Sequence, residues 1–166
     1  MSKGGRSYVK LSGCLYFGIH PDRVKPDIPF IHHYVSLVEE HEFPGWLEEQ
    51  KQQPTASTYH SFPVKDRKAP SLEALTEIVD FLLGLKGILY IFCKGGHGRS
   101  GTLASALYGR INSLSGNDAM RYINRQWHKQ RDLTLLRPKI VKLGSPQTAC
   151  QKRIVKEYLG GKKSVK

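Results

Sequence analysis

The sequence predicts an α/β fold: a single-domain sandwich in which a central sheet carries helices on both faces. Three observations predict it. Strand signals crowd the part of the chain before Pro63, and helical stripes fill the part after Ala69. Between the helical stripes lies Ile88-Leu89-Tyr90-Ile91-Phe92, apolar throughout, as a central strand covered on both faces must be. A chain of 166 residues has the usual size of one domain. It should bury roughly 70% of its unfolded surface, enough for a core without staples.

The early segments Cys14–Gly18 (CLYFG), His33–Leu37 (HYVSL) and Ser57–Phe62 (STYHSF) are rich in aromatic or β-branched residues, so each is predicted as a strand. Residues 41–53 (HEFPGWLEEQKQQ) are polar, and Pro44-Gly45 should interrupt any helix there. Leu72, Leu75, Val79, Leu82 and Leu83 share one helical face behind Ser71, a natural N-cap. Leu103, Leu107, Ile111 and Leu114 make a second stripe. Met120, Ile123 and Trp127 make a third, after a Ser115-Gly116-Asn117-Asp118 spacing that resembles a capping box. A fourth helix is predicted from Ser145-Pro146, a cap followed by proline, to Gly160. There is no internal repeat and no long linker. Residues 1–159 are therefore read as one domain, and 160–166 as a basic, disordered tail.

Composition narrows the class. With 39% apolar and 24% charged residues the chain is not expected to be disordered. The longest apolar run, Ile88–Cys93, is far short of the ~18 residues of a membrane span. The start, MSKGGRSYVK, has no apolar h-region, so no secretory signal is expected. Cys14, Cys93 and Cys150 form no C-x-x-C pair, which argues against a disulfide scaffold or a structural zinc site. A reducing, cytoplasmic or at least intracellular location is the expectation. Nothing in the sequence fixes the oligomeric state.

Charge is lopsided. The total is +12, yet residues 1–60 hold 6 Lys/Arg against 7 Asp/Glu, a balance of −1. Residues 61–166 hold 20 against 7, a balance of +13. A basic half points to an anionic partner such as a phosphate ester, nucleic acid or an acidic membrane surface.

The chemistry follows the buried strand: Cys93-Lys94-Gly95-Gly96-His97-Gly98-Arg99-Ser100-Gly101-Thr102. This reads as strand, glycine-rich turn and helix start. Gly95, Gly96 and Gly98 let backbone amides approach a ligand. Those amides and the positive helix end form a cradle for a phosphate-sized anion, and Arg99 adds a fork for two of its oxygens. A free thiol is only about 3% ionised at pH 7, but helix N-termini and cations favour the thiolate. Cys93 is thus expected as a nucleophile for phosphoryl transfer. Other phosphate loops fit less well. No G-x-x-x-x-G-K-[ST] string exists. The G-x-G-x-x-G match at Gly96, Gly98 and Gly101 lies late, with no following βαβ unit.

Cys93-x-x-Gly96-x-x-Arg99-Ser100-Gly101 resembles the phosphate loop of the cysteine-dependent protein tyrosine phosphatase superfamily. The short chain is similar to the dual-specificity branch, from about Leu15 to Leu159. The resemblance implies a compact sandwich with a mainly parallel sheet, hydrolysis without metal or other cofactor, and a phosphocysteine intermediate. It implies that Lys94, Gly95, Gly96, His97, Gly98 and Arg99 bind phosphate, and that Ser100 hydrogen-bonds the cysteine sulfur. Phe62-Pro63-Val64-Lys65-Asp66-Arg67-Lys68-Ala69-Pro70-Ser71 looks like the family's mobile acid loop. Asp66 matches its proton donor and is placed for that task, in a polar loop between a strand and a capped helix. Asp80 falls inside the following helix and has no loop to carry it. Gln147 matches the family's water-positioning glutamine. Gln147 and Gln151, four apart, are expected on one helical face.

The chain departs from the pattern at Phe92, where the family usually has histidine, leaving the amide cradle and helix end to stabilise the sulfur. Lys94 and His97 occupy positions where phosphoinositide phosphatases carry basic residues that meet extra phosphates. The deep phosphotyrosine-recognition segment of larger relatives is not visible upstream. A shallower pocket, open to phosphoserine, phosphothreonine and phosphotyrosine of a phosphoprotein substrate, is therefore expected. The alternatives are an anionic lipid (phosphoinositide) or RNA 5′-end as substrate, or a catalytically weak phosphate-binding module. His32, His33, His41 and His60 lack metal-ligand spacing and read as structural. Cys14 or Cys150 are candidate disulfide partners for an oxidised Cys93.

Overall fold

Five strands form one sheet in the order β1-β2-β5-β3-β4. They are β1 (Tyr8–Ser12), β2 (Leu15–Ile19), β3 (His33–Ser36), β4 (Thr58–Ser61) and β5 (Leu89–Cys93). Only β1 runs antiparallel, as a hairpin with β2. The pairings of β2 with β5, β5 with β3 and β3 with β4 are parallel. This computed structural model describes residues 6–134 and 136–163, with side chains up to Gly160. It has the mainly parallel sandwich expected from the sequence.

β5 is the central strand, and all five of its residues are buried. Its alternation divides the core. Leu89, Ile91 and Cys93 face the larger cluster, with Phe17, Val35, Leu75, Leu103, Ile123, Trp127 and Leu159. Tyr90 and Phe92 face a small aromatic layer with Tyr8, Tyr16 and Ile31. The helical cover is correspondingly unequal. The larger cluster is roofed by α2 (Leu72–Leu83), α3 (Arg99–Asn112), α4 (Gly116–Gln130) and α6 (Ala149–Lys163). The aromatic face takes Trp46 of the short α1 (Trp46–Gln52) and Ile28 of the 20–32 segment.

Local signals fixed several termini. The Ser71 hydroxyl accepts from the Ala74 amide at 3.1 Å, and Ser115 from Asp118 at 3.1 Å, each satisfying an orphan donor of its helix. Other expectations are corrected. β1 escapes the strand reading because Lys10 interrupts its short apolar pattern. Pro44-Gly45 does not abolish a helix but precedes one, with Gly45 at φ 78° as the residue before α1. Ile111 is 55% exposed, so the α3 stripe ends at Leu107. The last helix begins at Ala149, not at Ser145-Pro146, whose peptide bond is cis. A further short helix, α5 (Pro138–Leu143), lies before it. α6 also runs past Gly160 to Lys163, so the expected tail is helical at its start; residues 164–166 lie outside the described residues.

Three parallel strands end level. Ile19 of β2 pairs with Cys93, and Ser36 of β3 pairs with Phe92. β5 lies between these strands, and its carboxyl end opens between theirs. A crevice at the carboxyl end of such strands is where α/β sheets hold ligands. Cys93 sits there.

Candidate active site

β5 delivers Cys93 into the crevice with 3% of the residue exposed. The chain then turns through residues 94–98 and enters α3 at Arg99. The turn is tight because Gly96, at φ 77°, lies against the backbone of Gly18 and Ile19. A Cβ there would come within 2.5 Å of the Gly18 carbonyl carbon, so no other residue fits. The first turn of α3 folds back on the cysteine. The Ser100 amide lies 3.4 Å and its hydroxyl 3.3 Å from Cys93 Sγ. The sulfur thus faces the amide end of a fourteen-residue helix, where the macrodipole favours negative charge.

The turn is braced from outside. Arg131 is 4% exposed, and its Nη1 donates to the Gly95 carbonyl at 3.3 Å and the Gly96 carbonyl at 3.1 Å. Burial pulls the Arg131 pKa below its ordinary value, yet the group remains a cation beneath the loop. Ser145 donates to the His97 carbonyl at 2.6 Å, and Arg23 to the Lys94 carbonyl at 2.9 Å. Each such bond ties down a carbonyl and leaves the peptide N–H groups to turn the other way.

Arg99 is almost wholly enclosed. Its Nη1 and Nη2 grip Glu42 at 2.8 and 2.9 Å, and Nη1 also donates to the Val64 carbonyl at 2.9 Å. Burial alone would lower the Arg99 pKa, but the hydrogen bonds and charge of Glu42, with Cys93 and Asp66 nearby, raise it. Burial likewise works against ionised Glu42, and the Arg99 and Glu39 hydrogen bonds overcome it, so its carboxyl is held below the usual range. This two-bond grip uses the Nη1–Nη2 edge. Glu42 does not take the Nε–Nη2 edge, which is the fork for an anion and which Asp66 Oδ1 approaches at 3.4 Å.

Asp66 reaches the same guanidinium at Nη2. Its Oδ1 lies 3.4 Å from Arg99 Nη2, with 65% of its side chain exposed. The 63–70 loop that carries it is anchored to the 147–151 segment. The Arg67 carbonyl accepts from Thr148 Oγ1 at 3.1 Å, and the Lys68 carbonyl from Gln151 Nε2 at 3.1 Å. Gln151 is fully buried, and its Oε1 accepts from the Gln147 and Thr148 amides. The two glutamines therefore do not share a helical face as expected. Gln151 braces the turn before α6, and Gln147 precedes the helix. Gln147 Oε1 lies 3.1 Å from where a Cβ on Gly98 would be, which puts it beside the cradle.

The structure thus brings together Cys93, Asp66, Arg99, Ser100, Gln147 and the glycines. It separates two flanking residues from them. His97 turns inward, 8% exposed, with Nδ1 3.3 Å from the Gly95 carbonyl oxygen and its ring 5.5 Å from that of Trp127. Burial lowers its pKa, so its side chain is a packing group and not the expected cation for extra phosphates. Lys94 is exposed on the outer surface. Asp80 is paired with Arg110 at 3.2 Å. Cys14 precedes β2, and its carbonyl accepts from Leu89 at the far end of β5, about 13 Å of strand from Cys93. That is too far for a disulfide with Cys93.

Three supports escaped the sequence reading, Glu42, Arg131 and His20, while Gln151 is singled out there but for a different role. Glu42 lies in a segment read only as polar. His20 is fully buried, stacked on Phe43 at 3.6 Å and edge-on to Phe92 at 4.8 Å. It packs behind the Glu42 turn, beside the phenylalanine that stands where a histidine was expected. No local pattern marks any of them.

Comparisons with known proteins agree with this geometry. A family model described as the DSP-PTPase phosphatase domain of the PTP-SAK (Swiss Army Knife protein) type matches residues 29–151. A putative tyrosine phosphatase, 197R, of Invertebrate iridescent virus 6 is 34% identical over 70 residues, 38% of this chain. The match spans 26% of that protein, so the chain corresponds to about a quarter of its length. Among solved structures, Tk-PTP in its active form is 28% identical, with a TM-score of 0.68 over 93% of this chain and 97% of that one. Kinase associated phosphatase with its catalytic-site cysteine replaced by serine shares the fold at 18% identity and a TM-score of 0.68, covering 100% and 99% of the two chains. PTPMT1 in complex with PI(5)P does so at 16% and 0.69, covering 96% and 98%.

Proposed function

The chain belongs to the DSP-PTPase family of phosphatases, and we propose that within it the protein is a dual-specificity protein phosphatase. It removes phosphate from tyrosine and from serine or threonine through a phosphocysteine. One observation carries the reading. Cys93 Sγ sits 3.3–3.4 Å from the Ser100 hydroxyl and amide at the start of α3, with Arg99 and Asp66 paired across the opening at 3.4 Å. A nucleophile, an anion fork and a proton donor thus converge on one crevice.

In the first step the Cys93 thiolate attacks phosphorus. The S–P bond forms as the ester P–O bond breaks, and Asp66 gives its proton to the departing oxygen. The loop amides and the Nε–Nη2 edge of Arg99 hold the three equatorial oxygens, where charge accumulates. In the second step water attacks phosphorus and passes a proton to the Asp66 carboxylate. The S–P bond breaks, orthophosphate leaves and the thiolate returns. The Ser100 hydroxyl donates to the sulfur as it departs, and Gln147, beside Gly98, orients the water. The charge stabilisation comes from amides and Arg99, so the reading requires no metal.

Tyrosine and serine or threonine specificity is supported by the exposed acid, whose side chain is 65% accessible. A phosphoinositide reading is favoured by the basic half of the chain and by the shared fold of PTPMT1, solved with PI(5)P. Hydrolysis rates on matched phosphotyrosine, phosphothreonine and phosphoserine peptides, soluble inositol phosphates and triphosphorylated RNA decide between them. Turnover of both classes of phosphopeptide, lost in Cys93→Ser, supports the protein reading. Turnover confined to inositol phosphates or RNA overturns it.

A further inference from the structure

Most of the chain's positive charge takes no part in the chemistry above. Residues 116–156 hold 10 Lys/Arg against 2 Asp/Glu, a balance of +8 out of the chain's +12. By contrast α2 carries Glu73, Glu77 and Asp80 and no Lys or Arg. Three segments gather the basic charge around one groove. α5 and the turn after it lie against α4: the Val141 carbonyl oxygen is 2.9 Å from His128 Nε2, and Asn124 Oδ1 accepts from the Ser145 amide at 3.0 Å. α6 then runs beside α4 as far as Gly116, where a Cβ would lie 2.7 Å from Lys156 Cα. Between the two helices is an open groove of about 270 Å³. Arg121, Asn117 and Asn124 line one wall, and Lys152 and Lys156 the other. The groove begins behind the phosphate loop, because Ser145 of its floor holds the His97 carbonyl. It leads away from that loop, towards the end of α4 opposite Arg131. None of Cys93, Asp66, Arg99 and Gln147 lines it.

The charge of the groove is barely compensated. No acidic residue lines it. Among the described residues, its three cations have one carboxylate within 4.0 Å, Asp118 on Arg121. Lys152 Nζ reaches the Leu143 carbonyl at 3.5 Å, a long contact that neutralises nothing. Lys152 and Lys156 stand one turn apart on α6, about 6 Å along its axis. Arg125 continues the Arg121 row one turn further along α4. Like charges are thus stacked along both walls and repel one another. A row of negative charges laid between the walls relieves that repulsion.

We propose that the groove between α4 and α6 is a docking site for the backbone of double-stranded nucleic acid, bound without regard to base sequence. The shape, the lining and the extent of the charge each select this occupant. A sugar–phosphate backbone is a ridge, and cations on both walls of a groove meet a ridge from two sides. A bilayer is flat and would leave the groove floor unmet. Leu143 is the single large apolar side chain exposed beside it, too little for insertion into lipid. No aromatic ring lines the groove, so the unpaired bases of a single strand have nothing to stack on. The Asn117 and Asn124 amides suit phosphate and sugar oxygens, which take most protein–DNA hydrogen bonds. A free small anion fits less well. The groove is smaller than the roughly 300–1,000 Å³ of small-molecule pockets, and the basic row runs on past it to Arg125 and Lys129. From Asn117 to Lys129 α4 extends about 18 Å, a length of duplex that carries about ten phosphates. The site holds the protein on nucleic acid and leaves the Cys93 crevice open for its own substrate.

The test is fluorescence anisotropy of labelled, mixed-sequence DNA and RNA duplexes of about two helical turns, titrated with the full chain as salt is varied. Vanadate is present throughout to fill the phosphate loop. Dissociation constants of about 1–100 µM are expected near physiological salt. About four phosphate contacts should give a slope near −4 in log K against log salt on the DNA duplex. Similar binding of the two duplexes assigns the backbone alone, and tighter RNA binding assigns A-form RNA. In Arg125→Glu/Lys152→Glu/Lys156→Glu, binding should weaken by about ten- to a hundred-fold and the slope should flatten by two to three. Hydrolysis of an aryl phosphate by this variant should stay within about twofold of wild type, which also shows that it folds. The milder Lys152→Gln/Lys156→Gln should weaken binding several-fold. Absence of duplex binding even at low salt, or binding that both variants retain, overturns the site. Equal and equally variant-sensitive binding to phosphatidylserine vesicles or to polyglutamate overturns the nucleic-acid assignment. None of these results bears on phosphopeptide hydrolysis, so the docking site and the protein-phosphatase reading fail separately.

Discussion

The loop after β5 and the 63–70 loop meet at Arg99, and they are built in opposite ways. The first is buried. Gly96 is pressed against β2, the Gly95 and Gly96 carbonyls are held by Arg131, and Ser145 fixes the His97 carbonyl. The second faces solvent, with the Asp66 side chain 65% exposed and its neighbours' carbonyls held by Thr148 and Gln151. The difference fits the function proposed above. An anion cradle works best when its dipoles need not reorganise, and on that proposal the second loop admits substrate and then presents an acid, for which few, exchangeable bonds suit it.

The comparison can be broken most severely at the buried loop. Cys93→Ser keeps side-chain volume but not the nucleophile, so aryl phosphate hydrolysis should fall to background while the thermal melt stays near wild type. Turnover close to wild type would end the covalent mechanism.

On the exposed loop the effect should depend on the substrate. Asp66→Asn should cost of order 10²–10⁴ in kcat with phosphoserine and phosphothreonine peptides, whose alkoxides need the proton, and less with an activated aryl phosphate. The alkaline limb of the pH–rate profile should flatten. Equal losses for good and poor leaving groups would make Asp66 merely structural.

A milder change beneath the cradle separates geometry from chemistry. Arg131→Met removes the donors that hold the Gly95 and Gly96 carbonyls, leaving both without their buried partner. Inhibition by vanadate, which fills the cradle without needing an acid, should weaken about tenfold. Arg131→Lys should recover much of it. Unchanged vanadate inhibition in Arg131→Met would mean the loop holds its shape alone.

Smaller still should be the loss of the anchor. Gln151→Leu removes the bond to the Lys68 carbonyl and the acceptor of the Gln147 and Thr148 amides, and should lower kcat on phosphopeptides about threefold, with little change in vanadate inhibition. If vanadate binding fell as much as kcat, the two loops would not be separable.

The smallest effect at neutral pH belongs to His20. Burial lowers its pKa to about 4 from 6.5, despite an opposing pull from Glu42. Between those values the unfolded chain takes up a proton that the folded one refuses, so stability falls as pH drops through that window. The loss approaches about 3 kcal/mol by pH 4. His20→Phe keeps the ring stack, removes the titration and gives up the acceptor of the Asp22 amide at 3.0 Å. Its thermal melt should lie slightly below wild type at pH 7.5 and exceed it at pH 4.5; identical acid sensitivity of the two proteins would clear His20 of any part in it.

What the sequence determined by itself was local. The run from Cys93 to Thr102 is contiguous, and its turn, helix start and sulfur contacts arise within eight residues, so the spacing of glycines, Arg99 and Ser100 already specifies a cradle. Ser71 and Ser115 declared their helices for the same reason, since a cap bonds an amide three residues away. The apolar run of β5 announced a strand buried on both faces. Tertiary structure decided everything that depends on which distant chain comes near. Glu42 and Arg99 are 57 residues apart, and Arg131 and Gly96 are 35 apart. A charged residue carries no local mark of whether it will be solvated or buried against a partner. The strand Tyr8–Ser12 exists because β2 offers it an edge, and His97 turned inward because Trp127 lies beneath it. Gln147 and Gln151 took different tasks because α6 starts at Ala149, not at Ser145. Spacing along a chain fixes hydrogen bonds that close small rings. Burial, which decides charge states and the braces of the site, is set only when the layers pack.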